Sequence, residues 1–434
     1  MRIFYYTFGC KVNQYETENV RELFNNKGYE ETDDFTDAQI CFINTCTVTS
    51  QSDSKCRQLI RKIRKANPEC VIALAGCFPQ AFSSQAEAMT ECDIIVGTGN
   101  KTDVPDLCEN YILNGERIIK IEEHKKNENF EKMTNIGISS KTRAYIKIQD
   151  GCDQYCTYCI IPFARGHIRS KPLNDIKEEV KQLVDSGHKE IILTGINLCC
   201  YGKDFKDSTR LIDAIETACL NDGEYRVRLG SIEPEMISDE DILRMSKLEK
   251  LCPHFHLSLQ SGCDKTLKEM NRHYDSNEFM ELCRKLRKHF PYCGITTDIM
   301  VGFPNESDDD FEKSRHFAEA VSFSDAHIFA YSRRPGTRAD KFNGQVEKKV
   351  KHKRALVMAE TCKVSKKNFL KNMIGKTVRV LFEKENSSEW HQGHSENYIV
   401  VRVKRNDKNL SLRRQLLNVK ITDSDDEFCY GKLV

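Results

Sequence analysis

From Arg2 onward, short runs of β-branched and aromatic residues alternate with amphipathic stretches. RIFYYTF is followed by a polar, helix-like segment around Glu16 to Lys27, then QICFINTC, a second helix-like segment from Asp53 to Lys65, CVIALAG and DIIVG. Continuous apolar runs separated by amphipathic helices predict a parallel sheet covered on both faces, a doubly wound α/β domain over residues 1–121. Residues 122–141, EEHKKNENFEKMTNIGISSK, are polar and aperiodic and read as a linker. The alternation resumes with AYIKIQD, EIILTG, YRVRLGS, FHLSLQSG, ITTDIMVGF and AHIFAY, each followed by a helix-like stretch. Six βα units predict a partial parallel barrel over 142–372, with its active site at the C-terminal strand ends. From residue 373 the period changes: KTVRVLFE, ENYIVVRVK, LNVKITD and YGKLV predict a small antiparallel β-barrel over 373–434.

The chain has 434 residues with 39% hydrophobic and 30% charged side chains, enough to bury several cores and too apolar for a disordered chain. No apolar run approaches the roughly 20 residues of a spanning helix, and the mean hydropathy is −0.56. The N-terminus lacks the basic leader, apolar segment and small-residue site of a secretory signal, so the expected location is the cytoplasm, without a membrane partner. Net charge is +1, so attraction to nucleic acid must come from local patches. The segment from Lys341 to Lys376 is one, with eleven Lys or Arg against Glu347 and Glu360.

Twenty cysteines in a long chain kept in a reducing compartment read as metal ligands or buried apolar residues rather than disulfides. Cys152, Cys156 and Cys159, in GCDQYCTYCIIPFARG, have the spacing CxxxCxxC directly after the first barrel strand. Three thiolates from one short loop can hold three corners of a 4Fe-4S cube and leave the fourth iron open. The competing reading, structural zinc, needs a fourth ligand, for which only His167 is near. Cys10 in TFGCKVNQYETE, Cys46 in NTCTVTSQSDSKC and Cys77 in AGCFPQ each follow a predicted strand, at the edge where an open α/β sheet builds ligand sites. Their spacing alone is equally compatible with buried structural thiols. The remaining fourteen cysteines carry no assigned role.

The CxxxCxxC loop on the first turn of a βα barrel resembles the radical S-adenosylmethionine superfamily. With the three N-terminal motifs and the downstream LSLQSGCDKTLKEMNRHY and TDIMVGFPNE, the whole chain resembles the methylthiotransferases. The resemblance implies two 4Fe-4S clusters, an auxiliary one on Cys10, Cys46 and Cys77 and a radical one on Cys152, Cys156 and Cys159. It implies S-adenosylmethionine as methyl donor and radical source, with Tyr158, Thr194, Gly195, Asn197, Ser231, Glu233, Gln260 and Ser261 beside it. It implies a TRAM-like RNA-binding barrel, the tRNA anticodon loop as partner rather than DNA, and an electron donor of the flavodoxin or ferredoxin kind. GCKVNQYETE resembles the branch acting on N6-threonylcarbamoyladenosine at tRNA position 37, and departs from the isopentenyladenosine branch at Lys11, Val12, Tyr15, Glu16 and Thr17. A ribosomal-protein aspartate is the family's third substrate, and a non-catalytic metal and RNA-binding protein is the alternative of a different class. A threonylcarbamoyl group carries a carboxylate and needs a cation, for which Arg165, Arg169, Arg333 and Arg334 are the candidates by position.

Overall fold

The computed structural model describes residues 1–126, 128–131, 133, 142–383, 389–405 and 410–434. The first six strands, β1 (Arg2–Thr7), β2 (Glu30–Glu31), β3 (Ile40–Thr45), β4 (Val71–Gly76), β5 (Ile94–Val96) and β6 (Ile118–Lys120), form one parallel sheet in the order β2-β1-β3-β4-β5-β6. β3 and β4 are buried along their whole length, as strands covered by helices on both faces must be. Val20, Phe24 and Ile40 lie in one apolar cluster and Ile43, Ile60 and Ile63 in another. Because the chain runs to β2 on one side of β1 and returns to β3 on the other, the strand order reverses at β1, the place where such sheets form a crevice.

The second region places β7 (Arg143–Lys147), β10 (Glu190–Thr194) and β11 (Arg226–Leu229) in one parallel sheet, with β8 (Gln149–Asp150) and β9 (Arg169–Ser170) as a small antiparallel pair beside it. β12 (Ser231–Ile232), β13 (His254–Gln260), β14 (Gly294–Val301) and β15 (Asp325–Ala330) form a second parallel sheet. All six expected barrel strands are present. The third is interrupted at Gly230, so the barrel consists of two hydrogen-bonded arcs rather than one. Ile146, Leu193, Val227, Leu257 and Ile295 face the surrounding helices in one apolar core. Strand alternation therefore turns Arg143, Tyr145 and Lys147, together with Thr296, Asp298 and Met300, into the lumen.

The last region is a closed five-stranded barrel of β16 (Thr377–Phe382), β17 (Trp390–Ser395), β18 (Val400–Lys404), β19 (Leu416–Ser424) and β20 (Cys429–Leu433), in the order β16-β17-β18-β20-β19. It departs from the expectation twice. β18 and β20 pair in parallel, and β17 was not anticipated, because its buried positions are His391, Gly393 and Ser395 rather than apolar residues. The basic segment forms the helix Lys348–Asn372, which packs on β15. Several of its cations are structural: Arg354 is buried against Glu306 and Asp308, Lys366 pairs with Asp325, and Lys367 with Asp426. Lys348, Lys349 and Lys353 are exposed.

Half of the expected linker, 122–141, falls outside the described residues. Its described part is packed: His124 bonds Thr98 Oγ1 at 2.9 Å, and the Phe130 ring receives Lys147 Nζ at 5.3 Å. No helix among the described residues is long and apolar enough to cross a membrane.

Candidate active site

Three neighbouring strands, β1, β3 and β4, run out just before Cys10, Cys46 and Cys77, with two residues between β1 and Cys10. Residues distant in sequence thus meet at one sheet edge, since adjacent strands lie only about 4.8 Å apart. Cys10 precedes the helix Lys11–Asn26, and Cys77 opens the helix Cys77–Ala81. Gly9, at φ +109°, brings the first loop so close to the second that a Cβ there would lie 2.6 Å from Cys46 Cβ. Asn13 clamps the group: its amide donates to Thr45 O at 2.8 Å, and its Oδ1 accepts from Cys10 Sγ at 3.3 Å. Burial pushes the Cys46 thiol up to about 12, and the thiols of Cys77 and Cys10 add to the shift. Such a set of thiols becomes thiolate only with positive charge beside it.

The second set lies on the loop after β8. Gly151, at φ +72°, turns the chain where any side chain would strike the carbonyl of His167 at 1.8 Å. The 269–272 turn fixes the loop: Thr157 Oγ1 donates to Glu269 O at 2.9 Å, Thr157 N to Met270 O at 3.0 Å, and Asn271 Nδ2 to Gln154 O at 3.2 Å. Burial raises the Cys159 thiol well above its usual range, with Cys156 and Cys152 contributing. His167, the near candidate for a fourth zinc ligand, is held by Asp153 at 2.7 Å. Among the described residues no three His, Cys, Asp or Glu side chains meet the spacing of a single metal ion; in a 4Fe-4S site each cysteine takes a different iron.

Of the expected cofactor edges, Glu233 is tied to this loop through Arg272. Thr194 and Asn197 are buried, and the Asn197 Oδ1 has no partner among the described residues. Asn197 N donates to Gln149 Oε1 at 2.7 Å, and Gly195 lies against the same glutamine. Tyr158 packs beside Met270, Phe303 and Tyr331. Gln260 sits at φ +62°, beyond a bulge in β13, and Ser261 is buried after it. Ser231 is exposed. Glu233 is ion-paired to Arg272, whose Nη1 donates to Cys156 Sγ at 3.3 Å. Arg272 was missed in the sequence, although it stands in the MNRHY segment.

A family model described as Radical SAM superfamily matches residues 146–318, and one described as Uncharacterized protein family UPF0004 matches residues 2–97. A protein named Threonylcarbamoyladenosine tRNA methylthiotransferase MtaB from Thermotoga maritima is 41% identical over 401 residues, covering 91% of this chain and 89% of the relative. The protein of the same name from Bacillus subtilis is 34% identical, covering 99% of this chain and 96% of its own. The chain belongs to the radical SAM methylthiotransferase family. A tRNA-2-methylthio-N(6)-dimethylallyladenosine synthase from Clostridium botulinum is 33% identical over 99% of this chain and 92% of its own; the higher identity of the Thermotoga protein puts this methylthiotransferase on the MtaB branch. Among solved structures, the radical S-adenosylmethionine methyltransferase TsrM from Kitasatospora setae superposes with a TM-score of 0.58 at 12% identity, over 78% of this chain and 75% of its own, a likeness of fold. Membership makes the protein a transferase that works with S-adenosylmethionine and a 4Fe-4S cluster.

In this methylthiotransferase a buried ionic network ties the helix after the CxxxCxxC loop to the N-terminal cysteine set. Arg165, six residues after Cys159, is fully buried. Its Nε donates to Cys77 Sγ at 3.3 Å, its Nη2 to Asn13 Oδ1 at 3.1 Å, and its Nη1 to Glu16. Glu16 also receives Lys101 at 3.1 Å and Lys147 at 3.3 Å, and Asp150 accepts Lys147 at 2.9 Å. Burial raises the Glu16 carboxyl, but Arg165, Lys101 and Lys147 more than offset it and hold the group at about 2.

This network corrects the expectation for the substrate carboxylate. Arg165 is neutralised by Glu16, Arg169 lies 3.4 Å from Glu128, Arg333 is 2.9 Å from Asp340, and buried Arg334 is 2.6 Å from Asp53. All four arginines have a carboxylate of the protein itself; Arg165, Arg169 and Arg334 are buried at packed junctions, whereas Arg333 is exposed. The residues that bring the elements together are the ones taken from sequence as free charges.

Proposed function

We propose that the protein is a tRNA modification enzyme that methylthiolates carbon 2 of N6-threonylcarbamoyladenosine at position 37, in the anticodon loop. The observation that carries this reading is that Arg165, on the helix that follows the CxxxCxxC loop, bonds Cys77 of the N-terminal set, in a chain 41% identical to a threonylcarbamoyladenosine tRNA methylthiotransferase. Cys152, Cys156 and Cys159 would hold the cluster that binds S-adenosylmethionine, and Cys10, Cys46 and Cys77 a second 4Fe-4S cluster. The donor chemistry fits: each set offers three unpaired thiols, with Arg165 beside one and Arg272 beside the other to hydrogen-bond sulfur. When bound, these groups supply the radical that removes hydrogen from the adenine carbon and the methylated sulfur that replaces it, chemistry no side-chain base can perform on an unactivated aromatic C–H bond.

The protein's own residues position the partners. Tyr158, Thr194, Gly195, Asn197, Ser231, Glu233, Gln260 and Ser261 would line the cofactor, with the unpartnered Asn197 Oδ1 available to one of its polar groups. The domain division follows the same reading: 1–121 for the auxiliary cluster, 142–372 for the radical barrel and 373–434 for a TRAM-like RNA-binding barrel. An unstacked base of a single-stranded anticodon loop can enter the space between the first two at little cost. A cytoplasmic enzyme drawing electrons from a flavodoxin or ferredoxin completes the proposal.

The test is mass spectrometry of tRNA nucleosides from a strain lacking the gene, its parent and a complemented strain. Loss of 2-methylthio-N6-threonylcarbamoyladenosine, with the unmethylthiolated nucleoside accumulating, is expected. Loss of the isopentenyl derivative would move the protein to the other tRNA branch. No nucleoside change would point to the ribosomal-protein substrate.

A further inference from the structure

The lumen of the radical barrel carries a polar cluster that neither cysteine set nor their ionic network uses. On β13, β14 and β15 the residues Leu257, Ile295, Ile299 and Ile328 pack into the core against the helices. Alternation therefore turns His256, Thr296, Asp298, His327 and Phe329 to the lumen. Thr296 stands opposite His256, and Asp298 opposite His327. Both ring nitrogens of His256 are engaged, Nδ1 at 2.9 Å from Thr296 Oγ1 and Nε2 at 3.3 Å from Asp298 Oδ2. His327 is exposed; its ring lies 6.1 Å from that of His256 and 6.5 Å from that of Phe329, and it bonds no described side chain. Phe329 is itself 47% exposed.

From this lumen β15 leads to both cysteine sets. Phe329 stands opposite Met300, which packs in one apolar cluster with Tyr158, the residue before Cys159. Tyr331, two residues on, is buried in the same cluster. Ser332 Oγ then accepts from Ser50 N at 3.2 Å, and Arg334 donates to Thr47 Oγ1 at 2.7 Å, one residue past Cys46. A ring stacked on Phe329 thus lies where the chain passes from one set to the other, toward the C-terminal strand ends that hold the active site of such barrels.

We infer that the lumen face of β15 reads the substrate: Phe329 is the platform on which the adenine stacks, and His327, with Asp298 opposite it, is the specificity residue that hydrogen-bonds the N6-threonylcarbamoyl group. The inference rests on the function proposed above and takes the place of the four arginines that the protein neutralises itself. A threonylcarbamoyl group offers carbonyl, carboxylate and hydroxyl oxygens to a donor, and N–H and O–H groups to an acceptor. His327 and Asp298 supply one of each, side by side. An isopentenyl group offers neither, so binding it would desolvate His327 without a partner, a disfavoured arrangement. The adenine needs only an open aromatic face, which is tolerant of the base it carries.

The cluster-loaded protein is titrated, by fluorescence anisotropy, with anticodon stem-loop RNAs carrying threonylcarbamoyladenosine or isopentenyladenosine at position 37. Wild type is expected to prefer the first about tenfold or more, the scale of a hydrogen bond lost at a desolvated polar group. His327→Leu should bring that ratio close to one with iron content unchanged, and His327→Gln should keep part of it. Phe329→Ala should weaken both RNAs alike, about tenfold, as the loss of one stacked base does. As a second readout, p-benzoylphenylalanine placed at position 329 should photo-crosslink to nucleotide 37, located by nuclease digestion and mass spectrometry. An undiminished ratio in His327→Leu, equal affinity of wild type for the two RNAs, or a crosslink to another nucleotide overturns the inference while leaving the function standing. If wild type prefers the isopentenyl RNA, the proposed function itself fails.

Discussion

Replacing Glu16 by Gln removes the carboxylate at the centre of the interdomain network, leaves Arg165 and Lys147 buried against Asp150, and strips buried Lys101 of its ion pair. The folded protein holds Glu16 at about 2 against an ordinary 4.5. Linkage turns that difference into about 3 kcal/mol of stability at neutral pH, the size seen when one partner of a buried ion pair is removed. Because the folded-state value is depressed, the contribution is fully present above the unfolded value and is lost as pH falls through the folded one. At pH 4, below the ordinary carboxyl value, it should already be smaller by the same relation. Urea unfolding of wild type and Glu16→Gln, followed by circular dichroism at pH 7 and pH 4, reads both quantities. A deficit below about 1 kcal/mol at pH 7, or one that grows on acidification, would refute the account of the network as a charge-compensated core.

Arg272→Met removes a cation bonded to Cys156 and to Glu233; losing a hydrogen bond to a cluster sulfur should lower the reduction potential of the radical cluster in EPR-monitored titration, with iron content retained. An unchanged potential would make Arg272 only a brace for Glu233. Changing Lys348, Lys349 and Lys353 together to Ala should weaken tRNA binding and reduce the magnitude of the salt-dependence slope by about 2 to 3, if all three neutralise phosphates; an unchanged slope would take this face out of the RNA footprint. Asp53→Ala should cost about 3 kcal/mol by stranding buried Arg334, whereas the double variant Asp53→Leu, Arg334→Met should recover most of that in a thermal melt and still form less methylthio product.

What sequence made legible was whatever repeats locally. Continuous apolar runs marked the strands of the first sheet, and the CxxxCxxC spacing marked its loop, because both patterns fit within a few residues. β17 was illegible since its inward positions are His391, Gly393 and Ser395, which carry no apolar alternation. The convergence of Cys10, Cys46 and Cys77 was legible only as strand ends; their adjacency depends on the order β1-β3-β4, which strand recognition does not give. The ion pairs were the least legible. Arg165 and Glu16 lie 149 positions apart, and Arg334 and Asp53 281. At such separations a buried, paired arginine and a solvated one look alike in sequence.

That blind spot has a physical basis. Apolar residues would hold the first sheet against the barrel at least as firmly, since exchanging a buried ion pair for well-packed apolar groups is often neutral or stabilising. Apolar surfaces, however, tolerate sliding, because burial is non-directional. A guanidinium bonded at once to Cys77, Asn13 and Glu16 has one geometry, and so has Arg334 bonded to Thr47 and Asp53. Thr47 follows Cys46 by one residue, and Arg165 reaches Cys77 directly, so each tie grips the first domain next to a cysteine. Under the proposed function, chemistry that places two cysteine sets about one base demands register more than adhesion. The charges are therefore concentrated where a displacement of one ångström would matter most, and the double variant of Asp53 and Arg334 separates the two effects, since stability and register should part company in it.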